Sequence, residues 1–141
     1  MVVTGVQYQP NSARTRTIKL DLHGTLHRSL FGKLAFDGTV EIDGATIANR
    51  DNGRPVTIVL NQATGGDMMY TSWHPLALYD YGAMFANQRF NEFTILEFRP
   101  HGGGWNGQNG LTIAAPAHTR SQALRLSNEL MRRYLDGYRL K

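Results

Sequence analysis

His101-Gly-Gly-Gly104 has the form of the backbone loop that cradles a developing oxyanion in esterases. That chemistry needs a serine on a Gly-x-Ser-x-Gly elbow, which the chain lacks. The glycines of Gly102-Gly-Gly-Trp-Asn-Gly-Gln-Asn-Gly110 do not cradle phosphate either, because no Gly-Lys-Ser/Thr follows them. They read as a flexible loop between two strands. Five histidines supply the chain's imidazoles. His23 and His27 share strand parity, but four residues of strand separate them by about 13 Å, too far to share one zinc. His74, His101 and His118 lie beside proline or glycine and read as solvated loop residues. With no cysteine, disulfides, thiolate metal sites and a cysteine nucleophile are excluded. The reading therefore expects no metal and no cofactor. Asp21, Asp37 and Glu41 sit at outward strand positions, where carboxylates keep a sheet face soluble, and nothing singles out a glycosidase pair.

Aromatic residues offer different chemistry. Tyr70, Trp73, Tyr81 and Trp105 stand in or beside loop-rich segments, and Trp105 is followed by Asn106, Gln108 and Asn109. Flat apolar faces next to amide groups suit a sugar ring or a peptide, although large aromatics also serve as core. These four are the candidate ligand-binding residues. The net charge of +4 also has a location, since residues 1–119 are neutral and the whole excess falls in residues 120–141. Arg120, Arg125, Arg132, Arg133, Arg139 and Lys141 are too sparse for a polybasic switch and read as a solvated helix face. Neither an RNA-recognition aromatic signature nor a second helix for a helix-turn-helix appears, so nucleic acid is not an expected partner.

Hydrophobic periodicity shows what must position these residues. Residues 1–15 are a polar lead-in, expected to be an extended N-terminal arm. From Arg16 the period is two: Ile18, Leu20 and Leu22 alternate with Lys19, Asp21 and His23. Residues 34–42 repeat the pattern, with Gly38 inward as a bulge or beneath a large neighbour, and Asp43-Gly44 turns the chain. Further strands are expected over 55–60, 68–73, 76–85, 93–98 and 110–115, the last stopped by Pro116. Thr119 followed by Gln122 forms a capping box. Ala123, Leu126, Leu130 and Tyr134 then run at helical spacing, predicting a helix over about 120–136 that buries this stripe.

The composition, 41% apolar and 18% charged, is that of a globular domain. No stretch approaches the roughly 20 apolar residues of a membrane span, and Met1-Val-Val-Thr-Gly5 lacks the basic and apolar regions of a signal peptide. The expected architecture is α+β and mainly β. A curved antiparallel sheet or partly open barrel of six to seven strands carries one C-terminal helix, all within a single domain over 16–141.

Three segments carry a resemblance. Phe36-Asp-Gly-Thr-Val-Glu-Ile-Asp-Gly44, Gly104-Trp105 and Gly110-Leu-Thr-Ile-Ala-Ala-Pro-Ala117, the last running into Arg120 and Ala123-Leu124, resemble small uncharacterised proteins of Bacillus-type bacteria. The likeness spans roughly residues 18–135, and its motifs are structural, so no functional residue carries over. Such proteins are often made with an N-terminal membrane anchor, which implies an extracytoplasmic location. From the residues themselves, the reading is a non-catalytic binding or interaction module for a peptide, glycan or protein partner. The alternative is a small hydrolase whose acid and base converge from separate loops.

Overall fold

The computed structural model describes residues 1–28, 33–43, 45–46, 56–61, 65–73, 76–98 and 104–141, with backbone alone at 45–46, 56–57, 69–73 and 76–80. Nine strands precede two short helices: β1 (Val2–Tyr8), β2 (Thr15–Arg28), β3 (Leu34–Ile42), β4 (Ala45–Thr46), β5 (Val56–Val59), β6 (Gly66–Trp73), β7 (Leu76–Ala86), β8 (Phe93–Glu97), β9 (Thr112–Ala115), α1 (Arg120–Leu130) and α2 (Arg132–Leu135). All pair antiparallel in the order β4-β3-β2-β1-β9-β8-β7-β6, and β5 also pairs with β3. Because β5 lies against β6, the two ends of the sheet meet and the curve nearly closes into a barrel. The expected mainly-β sheet with a C-terminal helix is present. The strand count of six to seven was low.

The extra strands arise where alternation is broken. Residues 2–8, expected within an extended arm, form β1 at the centre of the sheet, bonded to β2 on one side and β9 on the other. Gly5 and Gln7 hide it from a hydrophobic pattern. A Cβ at Gly5 would lie 2.8 Å from the Ala114 carbonyl oxygen, so close packing on β9 excludes a side chain there.

Strand alternation sorts the side chains onto two faces. Ile18, Leu20, Leu22, Phe36, Val40 and Ile95 fill the barrel interior. There Phe90 stacks on Phe36 at 5.2 Å and meets Phe93 edge-on at 4.8 Å. Phe90 has a φ of 54°, which is unfavourable for a non-glycine residue. The Asn87 side chain, accepting the N–H groups of Asn91 and Glu92, holds that turn. At Gly38 the expected large neighbour is found: a Cβ would meet the Phe36 ring at 2.8 Å and the Gly24 Cα at 2.6 Å.

The outer face of β1, β8 and β9 carries a second apolar layer under α1, including Val6, Tyr8, Leu96, Ala114, Ala123 and Leu126. Thr119 caps α1 by accepting the Gln122 N–H at 3.1 Å, and the Gln122 side chain accepts the His118 N–H at 2.8 Å. The expected single helix breaks at Met131, whose ψ of 13° leaves the helical range. The buried stripe also differs. Ala123 and Leu126 are buried as expected, but Ser127 and Met131 accompany them, while Leu130 is half-buried and Tyr134 exposed. Ser127 is tolerated inside because its hydroxyl bonds that of Thr94 at 2.8 Å, which donates to the Ile113 carbonyl.

Candidate functional site

Trp105 sits where the 104–110 loop meets the helical layer. The Asn106 side chain accepts the N–H groups of Gln108 at 2.9 Å and Asn109 at 3.0 Å, and the Gly110 N–H closes on the Asn106 carbonyl. Neighbouring segments clamp this turn from outside. Gln9 donates to the Asn109 carbonyl, Asn11 to that of Gln108, and the Tyr138 hydroxyl to that of Gly107. The Trp105 indole N–H donates to Thr112 Oγ1 at 3.1 Å, and the ring lies over Gly110, where a Cβ would come within 2.3 Å of it. Glycine at 110 is thus required for the indole to settle. The ordering cost of so glycine-rich a turn is offset by these bonds and by burial of half the tryptophan.

The outer side of Trp105 is part of an aromatic band. Its ring centroid is 6.2 Å from that of Tyr134, which in turn touches Phe85 at 5.4 Å. Tyr134 and Tyr138 are 40% and 46% exposed, an unusual degree for side chains so large, and Leu111 is also exposed. Arg132, Arg133 and Arg139, chain neighbours of these tyrosines, are exposed, as are Arg125 and Lys141. Among the described residues none of the five forms an ion pair. Arg120 differs. It lies over the Tyr8 ring at 5.8 Å and donates to the carbonyls of Gln9 and Lys141, tying the last residue to the N-terminal hairpin. Burial pushes the Tyr8 hydroxyl up to about 12, opposed more weakly by Ser127, the Arg120 charge and Thr112. No hydrogen bond of good geometry reaches that hydroxyl from the described residues.

A second polar constellation lies at one end of the barrel. Opposite Met68 and Met69, β7 pairs through Gly82 and Asp80, leaving Tyr81 as the extra residue of a bulge. The bulge turns Tyr81 toward the interior cluster, where its hydroxyl donates to Glu97 Oε1 at 2.5 Å. Gln7 Nε2 donates to the other carboxylate oxygen at 2.6 Å, and Arg16 Nε donates to Gln7 Oε1 at 3.2 Å. Burial first, then the Glu97 charge and hydrogen bond, raise the Tyr81 hydroxyl far above the usual phenol range. The phenol therefore stays protonated and holds the carboxylate.

Of the sequence-predicted site residues, Trp105 and Tyr81 belong to different layers, the helix side and the barrel interior. Tyr70 and Trp73 lie on β6, and their side chains fall outside the described residues. His74 and His101 also fall outside them. His23 and His27 are exposed and pair with Asp21 at 3.0 Å and Asp37 at 3.2 Å. Among the described residues, no three histidine or carboxylate side chains converge as a metal site, and no helix is long and apolar enough to cross a membrane. Beyond α1, a shallow groove of about 430 Å³ is lined by residues of both charge signs, Glu92, His118, Arg125 and Glu129 among them. Sequence reasoning missed Tyr134 and Tyr138 as surface groups. Tyr134 fitted the helical stripe, whereas Tyr138, just past the Gly137 stop, carried a signal that was legible. Comparison with family models, with curated proteins and with solved structures finds no match.

Proposed function

We propose that this domain is a non-catalytic binding module, acting at a bacterial cell surface, and that its ligand is an acidic glycan held on the Trp105–Tyr134–Tyr138 face. One observation carries this reading: two exposed tyrosines beside a hydrogen-bond-clamped tryptophan turn, flanked in the chain by arginines without ion pairs. Aromatic faces stack on the C–H faces of sugars, the Asn106 and Gln108 side chains supply amide groups, and unpaired guanidinium groups favour carboxylate or phosphate. A preformed surface loses little conformational freedom on binding, which suits recognition by a few anchors. The cell-surface location rests on the resemblance to Bacillus-type proteins.

The hydrolase reading has one observation in its favour, the Tyr81–Glu97 contact. A general acid or base must exchange a proton with substrate. Tyr81 is held protonated, and both Glu97 oxygens already accept hydrogen bonds, so the geometry favours a structural role. Affinity electrophoresis through gels containing polygalacturonate, with dextran as the neutral comparison, tests the binding reading. Retardation by polygalacturonate alone, weakened about tenfold by Tyr138→Ala and relieved by salt, is expected. Equal mobility in both gels would count against it, and so would hydrolysis of the polymer that disappears in Glu97→Gln.

A further inference from the structure

We propose that the distal half of β2, residues His23–Arg28, is a docking edge that accepts an extended segment of a partner polypeptide as an additional antiparallel strand. β2 is fourteen residues long, but β1 covers only part of one side of it. That pairing ends where Leu22 and Met1 exchange both backbone hydrogen bonds, at 2.8 and 2.7 Å. On its other side β2 stays paired with β3 as far as Arg28. All six residues from His23 to Arg28 are exposed.

Strand geometry determines which backbone groups face the open side. In an antiparallel strand, alternate residues direct both N–H and C=O to the same neighbour. Leu22 directs its pair toward β1, so Gly24 and Leu26 direct theirs the same way, beyond the end of β1. Lys19 shows the opposite parity, since its carbonyl accepts from Asp43 on the β3 side. Gly24 agrees independently. A Cβ on it would lie 2.6 Å from the Gly38 Cα, the close approach of a pair that shares no hydrogen bond, so its polar groups point away from β3. Among the described residues no strand pairs with this edge, and no other hydrogen-bond partner is present for the Gly24 and Leu26 backbones. An open edge of this length is a template for strand addition.

The edge also specifies its occupant. A strand continuing the line of β1 would run antiparallel to β2 and exchange bonds at Gly24 and Leu26. Side-chain alternation would place an apolar residue of the partner beside Leu26, which is 40% exposed. Polar residues would fall beside Thr25 and His27 on the solvent face. A second copy of the chain fits less well. Two such edges in antiparallel register would set the His23–Arg28 stretch, with two histidines, one arginine and no acid, against itself.

Amide hydrogen exchange of the full chain tests this, using as probe a capped peptide of alternating threonine and valine between lysines. The lysines keep the probe off the basic C-terminal helix. In the free protein the amides of Gly24 and Leu26 should exchange fast and those of Thr25 and His27 slowly. The probe should slow Gly24 and Leu26 by about tenfold or more and leave Thr25 and His27 unchanged. Methylating the peptide nitrogens that face β2 should abolish the effect, as should Leu26→Pro, which removes an N–H that β3 does not use. The proposal is overturned if the probe leaves Gly24 and Leu26 unchanged, or if the methylated peptide protects equally. Protection already present in dilute protein would assign the edge to another segment of this chain. Protection that grows with protein concentration alone would assign it to a second copy. Either result also overturns the proposal.

Discussion

Trp105 stands on the boundary between core and surface, and its two sides have different consequences. The inner side packs on the helical layer and donates to Thr112, so Trp105→Ala should cost about 2–3 kcal/mol, below the range for a fully buried aromatic. Chemical denaturation checks this, and a loss under 0.5 kcal/mol would mean the ring is not an anchor. Tyr138→Ala removes only a surface ring and one weak bond, so stability should change by less than about 0.5 kcal/mol while glycan retention falls. The importance of Trp105 was legible in the sequence, because a tryptophan among glycines must either be held or do the holding. Its bond to Thr112 and its close approach to Gly110 were not, since both depend on how β9 returns beneath the loop. The union of Tyr81, Glu97 and Gln7 was equally hidden, being made by a bulge and by strands far apart in the chain.

Among the elements, the C-terminal helix was the easiest to read and still held a surprise. The cap at Thr119 follows from local chemistry, and Thr119→Ala should cost about 1 kcal/mol. Periodicity alone placed Leu130 and Tyr134 in the buried stripe. The break at Met131 shifts the phase, so Met131 is buried and Tyr134 turns outward. Leu126→Ala should therefore lower stability by about 2–4 kcal/mol and Leu130→Ala by only about 1 kcal/mol. Equal losses in thermal denaturation would restore the unbroken helix. β1 was illegible for the opposite reason. Gly5 and Gln7 occupy inward positions for packing and hydrogen bonding rather than hydrophobicity, and a pattern of apolar residues cannot register them.

At the scale of the whole molecule, two layers of core meet through one sheet, and a buried phenol lies in each or at its edge. The hydroxyls of Tyr8 and Tyr81 titrate above the unfolded value of 10.0. Their stabilising contribution is complete below pH 10 and is lost as pH rises toward the folded values, because the unfolded chain releases these protons first. Stability should hold near neutral pH and fall between about pH 10 and 12, and Tyr8→Phe should flatten part of that fall. A melting temperature indifferent to pH in that window would contradict the burial of both phenols. The nearly closed barrel also separates its two candidate contact regions, the aromatic face beside α2 and the β2 edge, so each can be tested without disturbing the other. The binding claim is tested most directly by following backbone and indole amide resonances during titration with a galacturonic acid tetramer. The reading predicts shifts concentrated at the Trp105 indole and at residues 104–111 and 132–139, weakening with added salt, with His23–Arg28 unmoved. Shifts centred on Tyr81 and Glu97, or none at saturating tetramer, would contradict it.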